Sequence, residues 1–377
     1  MKKVFVLAQN IVSPLGNTAK ENFEALSAGR TAVSVHNDAS KSPVPFCAAL
    51  MDPAFYENNA SFTPFEALTA ASMADVIRQA DIDPAAPDTA WILSTTKGNI
   101  GLLETQPVTG ELKKEVGLTV SARKISDYFG FKHPPLIVSH ACISGTLAII
   151  TAKRMLEAGK YKTVVVAGAD LITRFILSGF QSFHAVSDVL CKPFDANRNG
   201  INLGEAAASM VLSTTRPAGT DTVIISGGGV SNDANHISGP SRTGAELFMA
   251  IDHAMKEAEV AAAAIDFISA HGTATIYNDD MESRAINLAG LQTVPVNSLK
   301  GYYGHTLGAA GLLETVMGIE SLHHQTIIPT LGFETPGTAE PIHVCSTLTK
   351  KPVYAFLKTA SGFGGCNAAI VVQKEKR

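Results

Sequence analysis

The stretch Val138-Ser-His-Ala-Cys142-Ile-Ser-Gly145 joins an apolar run, Leu136–Ser139, to a helix-like stretch rich in Ala, Ile and Leu. A cysteine at this point meets unpaired backbone N–H groups and the positive end of a helix dipole, and both stabilise a thiolate. The position therefore predicts a lowered pKa for Cys142 and a role as a nucleophile. The alternative is a small buried hydrophobic residue, which is the usual environment of a free cysteine.

Two histidines lie in similar turns further along the chain. These turns are Ala270-His271-Gly-Thr-Ala-Thr275 and Lys300-Gly-Tyr-Tyr-Gly-His305-Thr-Leu-Gly-Ala-Ala-Gly311, each between a strand-like and a helix-like stretch. A lone histidine in such a turn is more often structural. Two histidines at the same point of a strand–turn–helix unit as Cys142 indicate a shared site, because α/β active sites assemble where strands end at one edge of a sheet.

Two further features accompany this set. Lys300 and Glu314 flank His305, and they form either a solvated salt bridge or a charge pair that orients the histidine. A fourth glycine-rich turn, Gly362-Phe-Gly-Gly-Cys-Asn367, lies near the C-terminus. One cysteine, two histidines and one lysine in tight turns favour covalent thiol catalysis, and we expect no metal.

The composition excludes several classes of protein. A length of 377 residues predicts two domains or two fused halves, and a composition of 46% hydrophobic and 17% charged residues indicates a large interior. The net charge of −4 gives no electrostatic footprint for nucleic acid. The five cysteines include no CxxC pair, which fits a reducing cytoplasm. The first apolar run stops at Gln9, and no window reaches the roughly 18 apolar residues of a membrane span. We therefore expect a soluble cytoplasmic protein.

Strand-length apolar runs alternate with helix-like stretches, which predicts an α/β fold with buried sheets. The predicted strands are Val4–Val12, Ala90–Ser94, Leu136–Ser139, Thr163–Ala167, Ala208–Leu212, Val223–Ile225, Phe267–Ala270, Val294–Asn297, Ala355–Thr359 and Ala369–Gln373. The predicted helices are Lys20–Ala28, Pro64–Ala80, Ser121–Phe129, Gly145–Ala158, Glu246–Ala258, Asp279–Leu288 and Gly308–His323.

The order of these elements restarts at Val223, which suggests an ancient duplication. The matching segments are Trp91–Ser94 with Phe267–Ala270, Ile137–Ser144 with Val296–His305, and Ala208–Leu212 with Ala369–Val372. We place the seam in the Thr/Pro/Gly stretch Ser213–Thr220.

These motifs together resemble the β-ketoacyl-acyl-carrier-protein synthases, the elongating condensing enzymes of the thiolase superfamily. The matching segments are Ser13-Pro-Leu-Gly-Asn17, the Cys142 turn, Lys192-Pro-Phe-Asp195, Asn232-Asp-Ala-Asn-His236, His271-Gly-Thr-Ala-Thr275, Lys300–Gly311 and Gly362–Asn367. The resemblance implies a thiolase-like fold of two similar αβαβαββ halves in a layered α-β-α-β-α arrangement. Residues 1–215 would form the half with the cysteine and a short cap segment, and residues 216–377 the half with both histidines.

The resemblance also implies a role for each motif residue. Cys142 would accept the acyl group, and His271 and His305 would bind the thioester carbonyl of a malonyl extender and promote its decarboxylation. Lys300 would support His305, with Glu314 as its partner. The remaining implied roles concern the substrate. Phe363 would be a gate, and the N–H groups of Cys142 and Phe363 would form an oxyanion hole. Thr273 and Thr275 would contact the phosphopantetheine arm, and Gly364 would be a further substrate-binding residue.

Acyl carrier protein would be the partner, with no other cofactor, and the chain would form a homodimer or a heterodimer without binding nucleic acid or membrane. The pathway stays open between fatty-acid and pigment, polyene or polyketide synthesis. A non-condensing partner subunit of the chain-length-factor type is the alternative function, which the presence of Cys142 opposes. The paired histidines oppose a starter-type condensing enzyme, and a plain thiolase is disfavoured because Cys366 stands where threonine is common in the family.

Two departures from the family's pattern bear on the site. His140 stands two residues before Cys142, where a small hydroxyl residue is usual, and a strand would place both side chains on one face. It either tunes the thiol or packs at an interface. The segment Lys97–Pro135 is short and carries a basic cluster, formed by Lys113, Lys114, Arg123, Lys124 and Lys132, that is either a solvated face or a docking patch for an acidic carrier protein.

Overall fold

The computed structural model of the chain describes residues 2–57, 61–217, 222–233 and 239–375. The strands of its first half are β1 (Phe5–Val12), β2 (Ser34–His36), β3 (Phe46–Ala49), β4 (Thr89–Ser94), β5 (Leu136–Val138), β6 (Thr163–Asp170), β7 (Leu203–Gly204) and β8 (Ala206–Ser213). The strands of its second half are β9 (Val223–Asn232), β10 (Phe267–Ser269), β11 (Val296–Asn297), β12 (Thr326–Ile327), β13 (Thr349–Lys350), β14 (Ala355–Gly362) and β15 (Cys366–Lys374).

Helices connect these strands. Those of the first half are α1 (Ala19–Ser27), α2 (Pro64–Ala80), α3 (Leu102–Thr105), α4 (Gly110–Glu115), α5 (Leu118–Phe129), α6 (Ser144–Glu157) and α7 (Arg174–Ser182). Those of the second half are α8 (Ala245–Glu257), α9 (Ile276–Leu288), α10 (Lys300–Tyr303) and α11 (Ala310–His324). Three short 3₁₀ turns span Pro53–Tyr56, Ala262–Ala264 and Leu307–Ala309. No helix among the residues that the structure describes has both the length and the apolar character to cross a lipid bilayer.

Ten strands form one large sheet in the order β11-β10-β14-β15-β9-β1-β8-β6-β4-β5. Reading outward from the β9–β1 junction, each half has two antiparallel pairings followed by two parallel ones. The predicted equivalences of β4 with β10, β5 with β11 and β8 with β15 are confirmed, because each pair holds the same place in its half. The halves meet where Phe5 lies opposite Ile224 and Val6 opposite Val223.

The elements stack in five layers, and the described residues form four apolar cores, the smallest of which lies around β3, β7 and α7. Helix α2 packs on the outer face of β1, β6 and β8, and α8 packs on the outer face of β9 and β15. Between the two halves of the sheet, α6 and α11 pack on each other and form the largest core. This arrangement confirms the predicted layered α-β-α-β-α fold.

The central layer depends on an unusually apolar helix. Residues 310–322 of α11 are all buried, because the sequence Ala-Gly-Leu-Leu-Glu-Thr-Val-Met-Gly-Ile-Glu-Ser-Leu is apolar or small except at Glu314 and Glu320, which have polar partners. A Cβ at Gly311 would lie 2.1 Å from Oγ1 of Thr146, and a Cβ at Gly145 would lie 2.6 Å from the backbone N of Leu312. These glycines let α6 and α11 cross closely, which fixes the Cys142 turn against the second half.

The structure differs from the predicted elements in a few places. Helix α7 was not predicted, and α9 begins three residues earlier than expected. The predicted helix from Gly308 starts as a 3₁₀ turn in which Leu307 has a φ of 52°. The predicted seam begins at the last residue of β8, but residues 218–221 lie outside the described residues, so the division at 215/216 stays a prediction.

Candidate active site

The Cys142 turn occupies the five residues between the end of β5 at Val138 and the start of α6 at Ser144. The chain turns sharply at Ala141, whose φ is 44°. The hydroxyl of Ser144 accepts the N–H of His140 at 2.8 Å and donates to the carbonyl of Ala141 at 2.7 Å. The hydroxyl therefore locks the turn, which leaves Cys142 at the mouth of a cavity.

A buried carboxylate, that of Glu282, accepts hydrogen bonds from the backbone of the His271 turn. Glu282 on α9 accepts the backbone N–H of His271 at 2.8 Å and that of Gly272 at 2.6 Å. Gly272 has a φ of 46°, and a Cβ there would lie 2.5 Å from that of Ser298. A glycine is needed at this point, and Glu282 is a structural residue of the site that sequence reasoning missed.

His305 is fixed by a different contact. The backbone N–H of His305 donates to the backbone carbonyl of Asn202 at 2.7 Å, and its backbone carbonyl accepts the N–H of Gly204 at 3.0 Å. The preceding Gly304 has a φ of 65°, and a Cβ there would lie 2.3 Å from the carbonyl oxygen of Leu203. His305 is thus clamped to β7, so an element of the first half places a histidine of the second.

The three side chains converge. Sγ of Cys142 and one ring nitrogen each of His271 and His305 all lie within 4.8 Å of one another. The two imidazole centroids are 5.2 Å apart with the rings at 84°. The three side chains are 8%, 3% and 1% exposed, so the reacting atoms would be almost dry. The predicted convergence of a sulfur and two imidazoles from opposite halves is confirmed.

These side chains line a cavity of about 420 Å³, together with Thr273, Thr275 and Phe363. The hydroxyl oxygens of the two threonines are 2.8 Å apart. Gly364 is exposed at the tip of its turn and is not among the lining residues, so its predicted substrate contact gains no support.

An aromatic cluster closes one side of this cavity. Phe363 lies with its ring centroid 5.6 Å from that of Phe180 and 5.3 Å from that of Phe183. Phe180 also meets His305 edge to face at 6.5 Å. Sequence reasoning missed Phe180 and Phe183, because they lie on and directly after α7, whose short helical pattern was not recognised. The turns of Gly362 and Cys142 are in contact, since a Cβ at Gly362 would lie 3.0 Å from the N of Cys142.

Lys300 lies behind the histidines and forms a fully buried ion pair with Glu314, as predicted. Its ammonium donates to the backbone carbonyl of His271 at 3.0 Å, whereas the prediction placed its support at His305. A second buried lysine, Lys358, lies 2.7 Å from the other oxygen of Glu314. Sequence reasoning missed Lys358.

The prediction of a lowered pKa for Cys142 is wrong. Burial, with a smaller contribution from nearby Cys366, raises the pKa of Cys142 to about 12, and the positive charge of Lys300 only partly opposes this. The resting sulfur of Cys142 is therefore a thiol, which must lose its proton before it can act as a nucleophile.

The histidines shift in the opposite sense. Burial, and after it the positive charge of Lys300, holds the pKa of both His271 and His305 well below the usual range. Both rings are neutral at physiological pH. Nδ1 of His271 and both ring nitrogens of His305 have no hydrogen-bond partner among the described residues, so they are available to a ligand.

The raised pKa predicts how Cys142 reacts with iodoacetamide. Alkylation should become faster by about tenfold for each pH unit between pH 7 and pH 9, because the thiolate fraction rises in proportion below the pKa. Mass spectrometry of the Cys142 peptide measures the rate, with glutathione as the exposed-thiol control. A rate that levels off below pH 8 would contradict the raised pKa.

His140 does not share a face with Cys142. Strand β5 ends at Val138, and the turn at Ala141 sends the side chain of His140 to the surface, where it is exposed and outside the cavity lining. The predicted tuning of the thiol through a common strand face is therefore wrong.

A thiol and two imidazoles are also ligand types that zinc prefers. In the described part of the chain, they are the one group of three or more His, Cys, Asp or Glu side chains whose donor atoms lie close enough to hold an ion. The expectation that the site holds no metal stays a prediction.

The comparisons with known proteins agree with this site. The β-ketoacyl synthase N-terminal domain model matches residues 1–218, and the C-terminal domain model matches residues 222–334. The chain therefore belongs to the β-ketoacyl synthase family. It is 27% identical to the 3-oxoacyl-[acyl-carrier-protein] synthase 2 of Coxiella burnetii, over 99% of each chain. It is also 27% identical to a putative polyketide beta-ketoacyl synthase 1 of Streptomyces halstedii, over 100% of this chain and 99% of the relative.

Solved structures give the same result. The chain is similar to a chain in the structure of a ketosynthase in complex with its chain length factor from Xenorhabdus doucetiae, with a TM-score of 0.86 and 26% identity over 99% of this chain and 98% of that one. The predicted family and the thiolase-like fold are thereby confirmed.

Proposed function

We propose that the chain is a β-ketoacyl-[acyl-carrier-protein] synthase that moves an acyl group onto Cys142 and condenses it with malonyl carrier protein. The observation that carries this proposal is the group formed by one thiol and two neutral imidazoles at the wall of one cavity, within 4.8 Å of one another. The pathway would be fatty-acid, polyene or polyketide synthesis, since the relatives carry both kinds of name.

The first step is acyl transfer. The sulfur of Cys142 attacks the carbonyl carbon of an acyl thioester, the bond to the carrier sulfur breaks, and the carrier thiol leaves with the proton that Cys142 lost. The N–H groups of Cys142 and Phe363 would hold the oxyanion, and their two turns are in contact. The product is another thioester, which stays reactive toward carbon.

The second step is loss of carbon dioxide from the malonyl thioester. The carbon–carbon bond to the carboxylate breaks, and its electron pair forms an enolate whose oxygen accepts an N–H from each of two neutral imidazoles. The free ring nitrogens of His271 and His305 suit this role. The enolate carbon then attacks the acyl carbonyl on Cys142, and the sulfur leaves as the new carbon–carbon bond forms.

The substrate arm would enter past the threonines. Thr273 and Thr275 line the cavity and offer paired hydroxyls to the amide groups of phosphopantetheine. Phe363, packed against Phe180 and Phe183, would separate the malonyl side from the acyl side and move when the acyl group enters.

One assay tests the proposal. Purified protein is mixed with malonyl carrier protein and a panel of acyl carrier proteins, and both carrier and enzyme are weighed by mass spectrometry. We expect an acyl adduct on Cys142 and a carrier product longer by two carbons. Absence of an adduct with every acyl carrier would instead support the alternative, a non-condensing partner of the chain-length-factor type.

The edge of the large sheet offers a place for a second chain. Strand β5 is its last strand, and Leu136 on it is 41% exposed. We propose that β5 pairs with the same strand of a second copy of the chain or of a related subunit. The similar Xenorhabdus structure is a complex of a ketosynthase with its chain length factor, which makes a related subunit a reasonable partner. Light scattering of the purified chain distinguishes a dimer from a monomer that needs a different partner.

The basic cluster predicts a docking patch, although one member has another role. Lys124 forms an ion pair with the buried Glu66 at 2.8 Å and lies over the ring of Phe62, so it stabilises α5. Arg123 is exposed on the same helix. Arg123→Glu should raise the KM for acyl carrier protein severalfold, because the carrier is acidic, and should spare small acyl thioesters.

Lys256→Glu is the matched control, because Lys256 is an exposed cation of α8 on the other outer layer. It should leave both substrates unaffected. If Arg123→Glu slows both substrates equally, the cluster is only a solvated face.

A further inference from the structure

Lys358 is a fully buried lysine in a strand that sequence reasoning treated as core. It lies on β14, and its ammonium is surrounded by oxygen atoms only. The ammonium donates to the carbonyls of Ser269 at 3.1 Å, Ala270 at 3.2 Å and Thr359 at 2.5 Å. The fourth oxygen is Oε2 of Glu314, at 2.7 Å in an ion pair that is not aligned as a hydrogen bond.

This cage requires the charged form. Three carbonyls and a carboxylate are all acceptors, so a neutral amine, with two N–H groups, would leave acceptors without a donor. Burial lowers the pKa of Lys358, and the carboxylate of Glu314 opposes that shift. The four oxygens hold an ammonium in the interior.

The cage connects directly to the catalytic turn. Ser269 and Ala270 are the two residues before His271, at the end of β10. Lys300 donates a hydrogen bond to the next carbonyl along the chain, that of His271, and forms an ion pair with Oε1 of Glu314. Two lysines therefore hold three successive carbonyls at the strand end that presents the imidazole.

Two ammonium groups, those of Lys300 and Lys358, act on the histidines, and two buried carboxylates, Glu314 and Glu282, lie near them. Lys300 on α10 and Lys358 on β14 share one carboxylate, Glu314 on α11. The other titratable groups near the site are held by other donors or are uncharged at rest. Glu282 on α9 accepts hydrogen bonds from the His271 turn and from the hydroxyl of Thr359. Asp279, also on α9, accepts the N–H groups of Phe194 and Thr273, and Asp170 on β6 accepts hydrogen bonds from Thr95, Thr96 and the N–H of Gly308. The fourth group is the thiol of Cys142.

We infer that Lys358 is a positioning residue for the condensation: its ammonium anchors the strand end that carries His271, and its positive charge adds to the effect of burial and of Lys300 on the two imidazoles. The inference rests on the proposed function, because only there do neutral imidazoles matter. A protonated ring would bind the malonyl carboxylate as an ion pair, stabilise the substrate more than the transition state and so slow the loss of carbon dioxide.

The test compares the wild type with Lys358→Met, which keeps much of the volume and removes the charge. Malonyl carrier protein decarboxylation is measured from pH 5 to pH 8. The acidic limb of the profile should move up by about one pH unit in Lys358→Met, a tenfold lower rate on that limb, because the rings take up protons more readily without the second ammonium. Lys153→Met is the matched control, since Lys153 is also a buried ion-paired lysine, held by Glu157 and Glu257 on α6 and α8.

A second readout does not depend on turnover. Proton uptake by the two rings is followed by NMR of histidine labelled at Cε1, with peaks assigned from His271→Asn and His305→Asn. The same upward shift of their titration in Lys358→Met supports the inference even if the wild type proves not to condense. If Lys358→Met does not fold, Lys358→Gln is titrated instead, because its amide N–H groups can still donate to the carbonyls of the cage while the charge is absent, and the same upward shift supports the inference. Unchanged ring titration, or a shift equal to that of Lys153→Met, overturns it.

Discussion

Cys142→Ala should abolish the acyl adduct on the enzyme and lower condensation by at least about 10³-fold, because removing a nucleophile removes the covalent route. The same variant should still release carbon dioxide from malonyl carrier protein. The reason is geometric: the enolate is stabilised by His271 and His305, which are fixed by Glu282 and β7 and do not need the sulfur. Adduct mass and carbon dioxide release measure the two half-reactions separately.

Cys191→Ala is the matched control for this variant. Cys191 is a fully buried thiol whose pKa burial also raises to about 12, but it is not among the residues lining the cavity. Its replacement should leave both half-reactions intact. An acyl adduct that persists in Cys142→Ala, or condensation that survives, would mean that another group accepts the acyl chain and would remove the proposed mechanism.

The sequence predicts the positions of the reactive groups because the fold is repeated. Cys142 and His305 follow equivalent strands, β5 and β11, and His271 follows β10 beside β11. Parallel neighbours such as β10 and β11 end at the same edge of a sheet, so the two histidines were expected to share a site. The approach of Cys142 depends on the packing of the two halves across α6 and α11, because β5 and β11 are at opposite ends of the ten-stranded sheet. The glycines of those turns are visible in sequence for the same reason, since only small residues tolerate the close approach of Gly272 to Ser298 or of Gly304 to Leu203.

The electrostatics of the site could not be predicted in the same way. The sequence shows that Cys142 precedes a helix, but its pKa is set by how completely other elements exclude water, and this burial depends on packing across both halves. Lys358 lies in an apolar strand, and nothing nearby in the sequence shows that the carboxylate of the distant Glu314 can form an ion pair with it. The direction of the His140 side chain was predicted wrongly because Ala141 has a left-handed backbone conformation, which nothing about an alanine in a sequence indicates.

His271→Ala and His305→Ala should each slow malonyl decarboxylation by about 10²–10³-fold, the usual cost of removing one donor to a developing oxyanion. Both rings are neutral and nearly dry, so each N–H acts at full strength, and water replaces it poorly. The acyl adduct on Cys142 should still form in both variants. Carbon dioxide release and adduct mass, measured on the same preparations, give the comparison.

The pH dependence sharpens this prediction. Because both rings have a pKa well below the usual range, decarboxylation should not decline as the pH falls through 6.5, whereas acyl transfer should rise steadily with pH as Cys142 ionises. His324→Ala is the control, since that ring is exposed and stacks on Phe23 far along α11. If replacing either buried histidine removes the adduct as well as decarboxylation, the ring takes the proton from Cys142, and its role moves from oxyanion donor to general base.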